Sequence, residues 1–296
     1  RKWIEPLSHA FLKGLAPTAR IPADMILPRL AKKRLRERHT ELSKVKTGIA
    51  YFHGCAANYL DDGVGDAVIA LLKKGGVNPA LPPQRCSGTP IQTYGLNDLV
   101  LENARFNMNT LAPYDKVVTG CASCTYMLKD YAALFAEGEN QEKAQILASK
   151  IVHISEFLYE NQKNTQGTFT PENELSTRKK TSTEEGVKKK RVTYHSSCHL
   201  RAAGVSMQPR ALLKANPKLD FVEMPDADRC AGGAGTFCIK NPEQAALIFE
   251  RKRRGIADSG AEIVTTSCPA CMIQLKNGLR GKAEVKHIAQ VLLENG

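Results

Sequence analysis

Lys116-Val117-Val118-Thr119-Gly120-Cys121-Ala122-Ser123-Cys124 returns, with its cysteines 147 residues on, as Glu262-Ile263-Val264-Thr265-Thr266-Ser267-Cys268-Pro269-Ala270-Cys271. Each copy reads as a short β-branched strand that ends at a CxxC, and the CxxC opens a helical pattern. Working outward, the match continues. Tyr51-Phe52-His53-Gly54-Cys55 pairs with Tyr194-His195-Ser196-Ser197-Cys198, and Arg85-Cys86-Ser87-Gly88 pairs with Arg229-Cys230-Ala231-Gly232. Downstream, Val152-His153-Ile154 pairs with Lys286-His287-Ile288. The four cysteine offsets are 143, 144, 147 and 147 residues, so the chain is an internal duplication.

Both copies follow one order. An apolar β-type run, Gly48 to Phe52 or Arg191 to Tyr194, leads to the first cysteine. A helix follows, from Gly65 to Lys74 or Pro209 to Ala215, stopped by Gly75-Gly76 or Asn216-Pro217. A second run, near Ala80-Leu81 or Leu219 to Met224, ends at the second cysteine in a Gly-rich loop. Helices Leu96 to Leu111 and Pro242 to Ser259 come next. The strands before the CxxC follow, and then helices Ser123 to Phe135 and Pro269 to Leu279. Alternating β and α elements predict an α/β fold of two pseudo-equivalent, Rossmann-like halves, each a small parallel sheet flanked by helices. Loops at the carboxyl ends of parallel strands share one edge of a sheet, so four cysteines spread over about 70 residues converge there.

The composition places this body within a longer frame. The 296 residues are 42% hydrophobic and 24% charged, which excludes general disorder, collagen-like repeats and a membrane-embedded chain. The net charge of +12 is uneven: residues 1–50 carry +8, residues 161–191 carry +4, and the rest is neutral. The expected organisation is a basic leader over 1–47, a first repeat over 48–160, a flexible charged linker over 161–190 and a second repeat over 191–296. The basic run Arg29-Leu30-Ala31-Lys32-Lys33-Arg34-Leu35-Arg36-Glu37-Arg38 reads first as a solvated face. It reads next as a contact for an anionic membrane surface or an acidic partner. Nucleic acid is not expected as a partner, because the body offers no aromatic stacking platform and one Trp. The start at Arg1 has neither Met nor an export signal and is expected to be a processed end.

Nine cysteines are an odd number for a disulfide framework, and reduced, metal-binding thiols are the better expectation. Cys55, Cys86, Cys121 and Cys124 form one candidate ligand set; Cys198, Cys230, Cys268 and Cys271 form the other. Four thiolates suit either tetrahedral zinc or an iron–sulfur cluster. Ligands on separate loops favour the larger cluster, and buried packing is the bland alternative. Cys238 has no partner in the first copy and reads as packing, with a fifth-ligand role left open. His53, His195 and His199 lie close in sequence to first cysteines and could serve a sulfur as donors or simply be satisfied half-buried side chains; His153 and His287 read as structural. No catalytic triad, flavin or nicotinamide signature is present, and Gly232-Gly233-Ala234-Gly235 lacks a phosphate-loop spacing.

His53-Gly54-Cys55-Ala56-Ala57-Asn58-Tyr59, Tyr194 to Leu200, Cys230 to Phe237 and Cys268-Pro269-Ala270-Cys271 resemble the cysteine-rich, or CCG-domain, family. Its members include a subunit of heterodisulfide reductase and iron–sulfur subunits of glycolate, lactate and anaerobic glycerol-3-phosphate dehydrogenases. The resemblance implies an oxidoreductase subunit that transfers electrons from a flavin-containing dehydrogenase partner toward quinone or another acceptor. It implies iron–sulfur cofactors of the 4Fe–4S type held by the eight repeated cysteines, with zinc an option in one half. A cytoplasmic place, peripheral on the inner face of a membrane, goes with it, as does a ferredoxin-like module upstream or on another chain. One departure stands out: the family's Cys-Cys-Gly doublet is Cys86-Ser87-Gly88 and Cys230-Ala231-Gly232 here. That departure counts against the noncubane cluster and direct disulfide cleavage of the heterodisulfide reductases.

Overall fold

The computed structural model describes residues 25–60, 63–166, 189–235 and 237–296. The halves carry separate all-parallel sheets. In the first, β1 (Ile49–Phe52) pairs with β2 (Lys116–Thr119), which pairs with β3 (Ile151–His153). Ala80 adds an isolated parallel bridge to Ala50 on the free side of β1. The second sheet has the order β5–β4–β6–β7: β4 is Lys190–His195, β5 Leu219–Phe221, β6 Ile263–Thr266 and β7 Glu284–His287. The Ala80 bridge therefore occupies the place of β5. The sheets are the same design with one strand reduced to a single residue, and the expected α/β duplication stands.

The strands form because the chain there is continuous apolar sequence. Ala50, Tyr51 and Phe52, Val117 and Val118, and all of β6 are buried on both faces, the pattern of a parallel strand covered by helices. The covering helices in the first half are α1 (Gly54–Tyr59), α2 (Val64–Lys74), α3 (Asn97–Leu111), α4 (Ala122–Lys129), α5 (Glu139–Lys150) and α6 (Ile154–Gln166). In the second half they are α7 (Cys198–Ala202), α8 (Met207–Ala215), α9 (Pro242–Ser259), α10 (Pro269–Leu279) and α11 (Ile288–Asn295). Strands β3 and β7 and the short α1 and α7 are not legible in the sequence. The strands are three and four residues long, too short for a visible period, and a cysteine at the head of one helical turn carries no helix signal. The expected helix Ser123 to Phe135 is instead α4 followed by a 3₁₀ turn over Tyr131–Leu134.

The basic segment is more than a solvated face. Leu35 and Leu42 are fully buried in the cluster of Tyr51, Val68, Leu72 and Val118. A Cβ at Gly65 would stand 2.7 Å from the Leu35 side chain, so glycine makes room for it. The arginines and lysines around Leu35 stay in solvent while the leucine anchors the segment. Helix α6 continues to Gln166, into the stretch expected as linker, and residues 167–188 lie outside the described residues. The halves meet directly, through α7 on α4, α8 on α6 and α11 on α2.

Candidate metal centre

All eight repeated cysteines follow the carboxyl end of a strand or extended segment. Cys55 and Cys198 sit in the first turn of α1 and α7, whereas Cys121 and Cys268 are the N-cap residues of α4 and α10. Cys124 and Cys271 lie one turn further along those helices. Backbone N–H groups at helix starts favour thiolate at three of these sulfurs: Ala56 at Cys55, His199 at Cys198 and Cys271 at Cys268. Cys86 and Cys230 lie on the loops after the second run, where the Gly232 N–H donates to Cys230 Sγ at 3.2 Å.

In the first half the thiols adjoin one another in the order 55–86–124–121. Cys55 and Cys124 act on Cys86, while Cys121 and Cys124 act on each other. The neighbouring Cys55 thiol draws Cys86 down to about 7 against its burial, and Cys86 in turn pushes Cys55 up. In the second half Cys268 and Cys271 act on each other, and Cys198 feels Cys230, Cys268 and Cys271. The two groups adjoin: Cys121 and Cys268 act on each other, and Ser123 Oγ reaches to 3.7 Å from Cys268 Sγ. The Cys121 and Cys271 thiols beside it hold Cys268 well below the ordinary thiol range; Cys121, next to Cys124 and Cys268, stands well above it. Cys124 and Cys268 are buried, whereas Cys55, Cys198 and Cys230 are exposed, so each group runs from a buried floor to an open mouth.

Glycines shape the cradle. At Gly54, φ is +68° and a Cβ would stand 2.9 Å from Cys124 Sγ. At Gly232, φ is +84° and a Cβ would meet the Ala245 carbonyl at 2.8 Å. Both positions need the left-handed conformation and the bare backbone of glycine.

Two histidines beside the thiols are buried and neutral. The His53 Nδ1–H donates to the Gly54 carbonyl at 2.8 Å, and burial drives the ring down to about 4. Burial drives His195 to about 3. These rings are 4% and 2% exposed, deeper than the half-buried expectation, and His53 Nε2 and His195 Nδ1 have no hydrogen-bond partner among the described residues. His287 caps α11, accepting the Ala289 N–H at 3.2 Å on Nδ1, and His153 accepts the Ser155 N–H likewise. Their structural reading fits those caps. Ser87, in the place of the family's second doublet cysteine, is 2% exposed and donates to Cys124 Sγ at 3.5 Å. Cys238 stands apart: its thiol faces the Gly235 carbonyl at 4.0 Å, and no other described thiol acts on it. Two contributors carry no mark in the sequence. Lys252 is 1% exposed and donates to the Asp226 and Ala227 carbonyls ahead of Cys230. Asn107 clamps Arg85, next to Cys86, by accepting its N–H at 2.9 Å. A lysine or asparagine within a helix gives no sequence signal for such a role.

Among the described residues no three metal-binding side chains gather tightly around one point. The donor set is nonetheless wholly thiol, helix-started and glycine-lined, and it fits a thiolate-bound group spread over four sulfurs in each half.

Two thiol-bearing, parallel-sheet halves joined at their CxxC turns define a duplicated thiolate-binding α/β protein. The chain belongs to the cysteine-rich domain (CCG) family, whose model matches residues 49–129 and 192–276. It is 31% identical, over 82% of its length, to a subunit of the fumarate reductase (CoM/CoB) of Methanothermobacter marburgensis, and spans 45% of that protein. It is 30% identical to lactate utilization protein A 1 of Bacillus mycoides, covering 83% of this chain and 97% of that one. It is 28% identical to a probable glycolate oxidase iron-sulfur subunit of Bacillus subtilis, covering 92% of this chain and 61% of that one. The chain thus spans about half the length of the first of these relatives and nearly the whole of the second.

Proposed function

We propose that this chain is the iron–sulfur, electron-transfer subunit of a complex that oxidises a 2-hydroxy acid such as lactate or glycolate, with a flavoprotein partner performing the C–H oxidation. The observation that carries the reading is the seam where the Ala122 N–H meets the Ser267 carbonyl at 2.9 Å and Ser123 Oγ lies 3.7 Å from Cys268 Sγ, which brings the two CxxC turns together. The relatives named for lactate utilization and for a glycolate oxidase iron-sulfur subunit support the substrate class. Cys55, Cys86, Cys121 and Cys124 would hold one group, and Cys198, Cys230, Cys268 and Cys271 the other. Bound there, iron–sulfur clusters of the 4Fe–4S type supply reversible one-electron storage. The chain's residues bring thiolates together, keep neutral imidazoles beside them and leave the outer cysteines open to a partner. The spread of the thiols favours a multi-atom cluster over a single zinc. Ser87 and Ala231 in place of the doublet cysteines count against a disulfide-cleaving role. The exposed Arg29, Lys32, Lys33 and Arg34 suit docking to an acidic partner or to an anionic membrane face on the cytoplasmic side, and a ferredoxin-like module would hand electrons on. No helix among the described residues is long and apolar enough to cross a membrane.

Anaerobic isolation of the intact complex, with iron, sulfide and zinc analysis and electron paramagnetic resonance, tests the reading. Iron and sulfide in the chain, a reducible signal and a co-purifying flavoprotein are expected. A colourless chain with stoichiometric zinc would overturn it.

A further inference from the structure

Ser123 belongs to the first half, as the residue before Cys124, yet its side chain serves the second. Its Oγ lies 2.8 Å from His199 Nδ1 and 3.7 Å from Cys268 Sγ. The His199 ring is stacked on Tyr126 of α4, with centroids 5.3 Å apart and planes 12° from parallel. Lys129 Nζ, also on α4, donates to the Ala203 carbonyl just past α7 at 3.4 Å. The imidazole is therefore held in place by the first half. A thiolate or metal-bound sulfur only accepts hydrogen bonds, so the Ser123 hydroxyl donates to Cys268. Its oxygen is then left to accept from His199, which must carry its proton on Nδ1. The result is a directed chain, His199 Nδ1–H to Ser123 Oγ–H to Cys268 Sγ.

The duplication supplies the control. By cysteine register, Ser123 corresponds to Ala270, His199 to Ala56 and Cys268 to Cys121. Neither alanine can donate, so Cys121 lacks the equivalent chain. The other sulfurs have matching neighbours: Ser87 donates to Cys124 and Ser197 lies beside Cys271, while backbone N–H groups of Gly88 and Gly232 serve Cys86 and Cys230, and those of Ala56 and His199 serve Cys55 and Cys198. The halves differ in sulfur donors most at Cys268, which has the Ser123 chain and the Cys271 N–H where Cys121 has neither counterpart.

We propose that Ser123 and His199 are positioning residues that make the two sulfur sites electronically unequal, with the second-half site the stronger electron acceptor. This rests on the iron–sulfur reading above. A hydrogen bond to a ligand sulfur stabilises the more negative, reduced state and raises the potential. Electrons entering the chain then settle in the second half first, although the residue that directs them is part of the first.

The experiment is a redox titration of the full chain, followed by electron paramagnetic resonance, after iron and sulfide have been counted. Two distinct midpoints are expected. Ser123→Ala lowers the higher one by a tenfold change in the reduced-to-oxidised ratio, about 59 mV for one electron, and leaves the other and the iron content unchanged. Ser123→Thr restores it; His199→Ala shifts it as Ser123→Ala does, and His199→Asn, which keeps a donor near Nδ1, restores part. One common midpoint, equal movement of both, or no movement overturns the proposal. A chain without iron and sulfide instead fails the electron-transfer reading. Nitrogen-15 histidine spectra of the as-isolated chain then judge the donor chain itself. A His199 proton on Nδ1 that is lost in Ser123→Ala is expected, and a proton on Nε2 in the parent chain refutes it.

Discussion

The Ala122 amide donates to the Ser267 carbonyl at 2.9 Å, from the first CxxC to the residue before the second. Its counterpart in the other direction does not exist, because the residue equivalent to Ala122 is Pro269, which has no N–H. Between the two CxxC turns, a backbone bond thus runs in one direction only, at the floor of the candidate metal centre.

Ala122→Pro tests that stitch. Cys121 is already extended, with φ −133° and ψ 121°, the conformation a following proline requires. The first helical position also tolerates proline, as Pro269 shows. The lost bond and the stranded Ser267 carbonyl should cost about 1–3 kcal/mol, read as a lower urea midpoint with an unchanged m-value. An unchanged midpoint would mean that the bond contributes nothing.

Gly54→Ala should injure the first half selectively. The new Cβ would be forced into a left-handed backbone at a cost of about 1–2 kcal/mol, and would press on Cys124 Sγ from 2.9 Å. Iron should fall toward half of the parent value, with Cys124 becoming reactive to alkylation and Cys271 remaining protected. Equal losses from both halves would contradict this.

His287 gives the fold an acid limit. Burial lowers its pKa to about 4 from 6.5, and His153 is lowered well below 6.5 for the same reason. The unfolded chain takes up these protons first as pH drops. Stability is therefore full above about 6.5 and is lost as pH falls toward 4, by up to about 1.4 kcal/mol per pH unit for each ring. His287→Asn keeps a capping side chain and removes one titration. Its stability, measured by urea unfolding from pH 7 to 5, should fall less steeply than that of the parent.

Lys252→Met should cost about 1–3 kcal/mol by removing the charged donor from two carbonyls ahead of Cys230, which keep only the Arg229 and Ser196 N–H groups. Burial lowers the pKa of this lysine from 10.5 to about 8. The unfolded state holds the extra proton between those values, so this group makes the parent gain stability as pH rises from 8 to 10.5. The variant should lose that gain. Parallel pH profiles would count against the buried charge.

Cys238→Ser should leave iron content and the resonance spectrum unchanged, because the thiol faces the Gly235 carbonyl and no other described cysteine acts on it. A lost signal would make it a ligand.

The sequence alone determined the duplication, the alternation of strands and helices, and the eight thiols, because these lie in a repeated register and in local apolar runs. The span of α9 is legible from Pro242 to Ser259, since proline opens it and Gly260, at φ +62°, closes it. The burial of Leu35 is hidden by its charged neighbours, and only the opening above Gly65 shows where it goes. Tertiary structure alone decided which residues of one half serve the other. Ser123 and His199 are 76 positions apart, and nothing in either local pattern announces the other. Periodicity reports the faces of single elements, whereas a hydrogen bond across a seam depends on how two finished sheets meet.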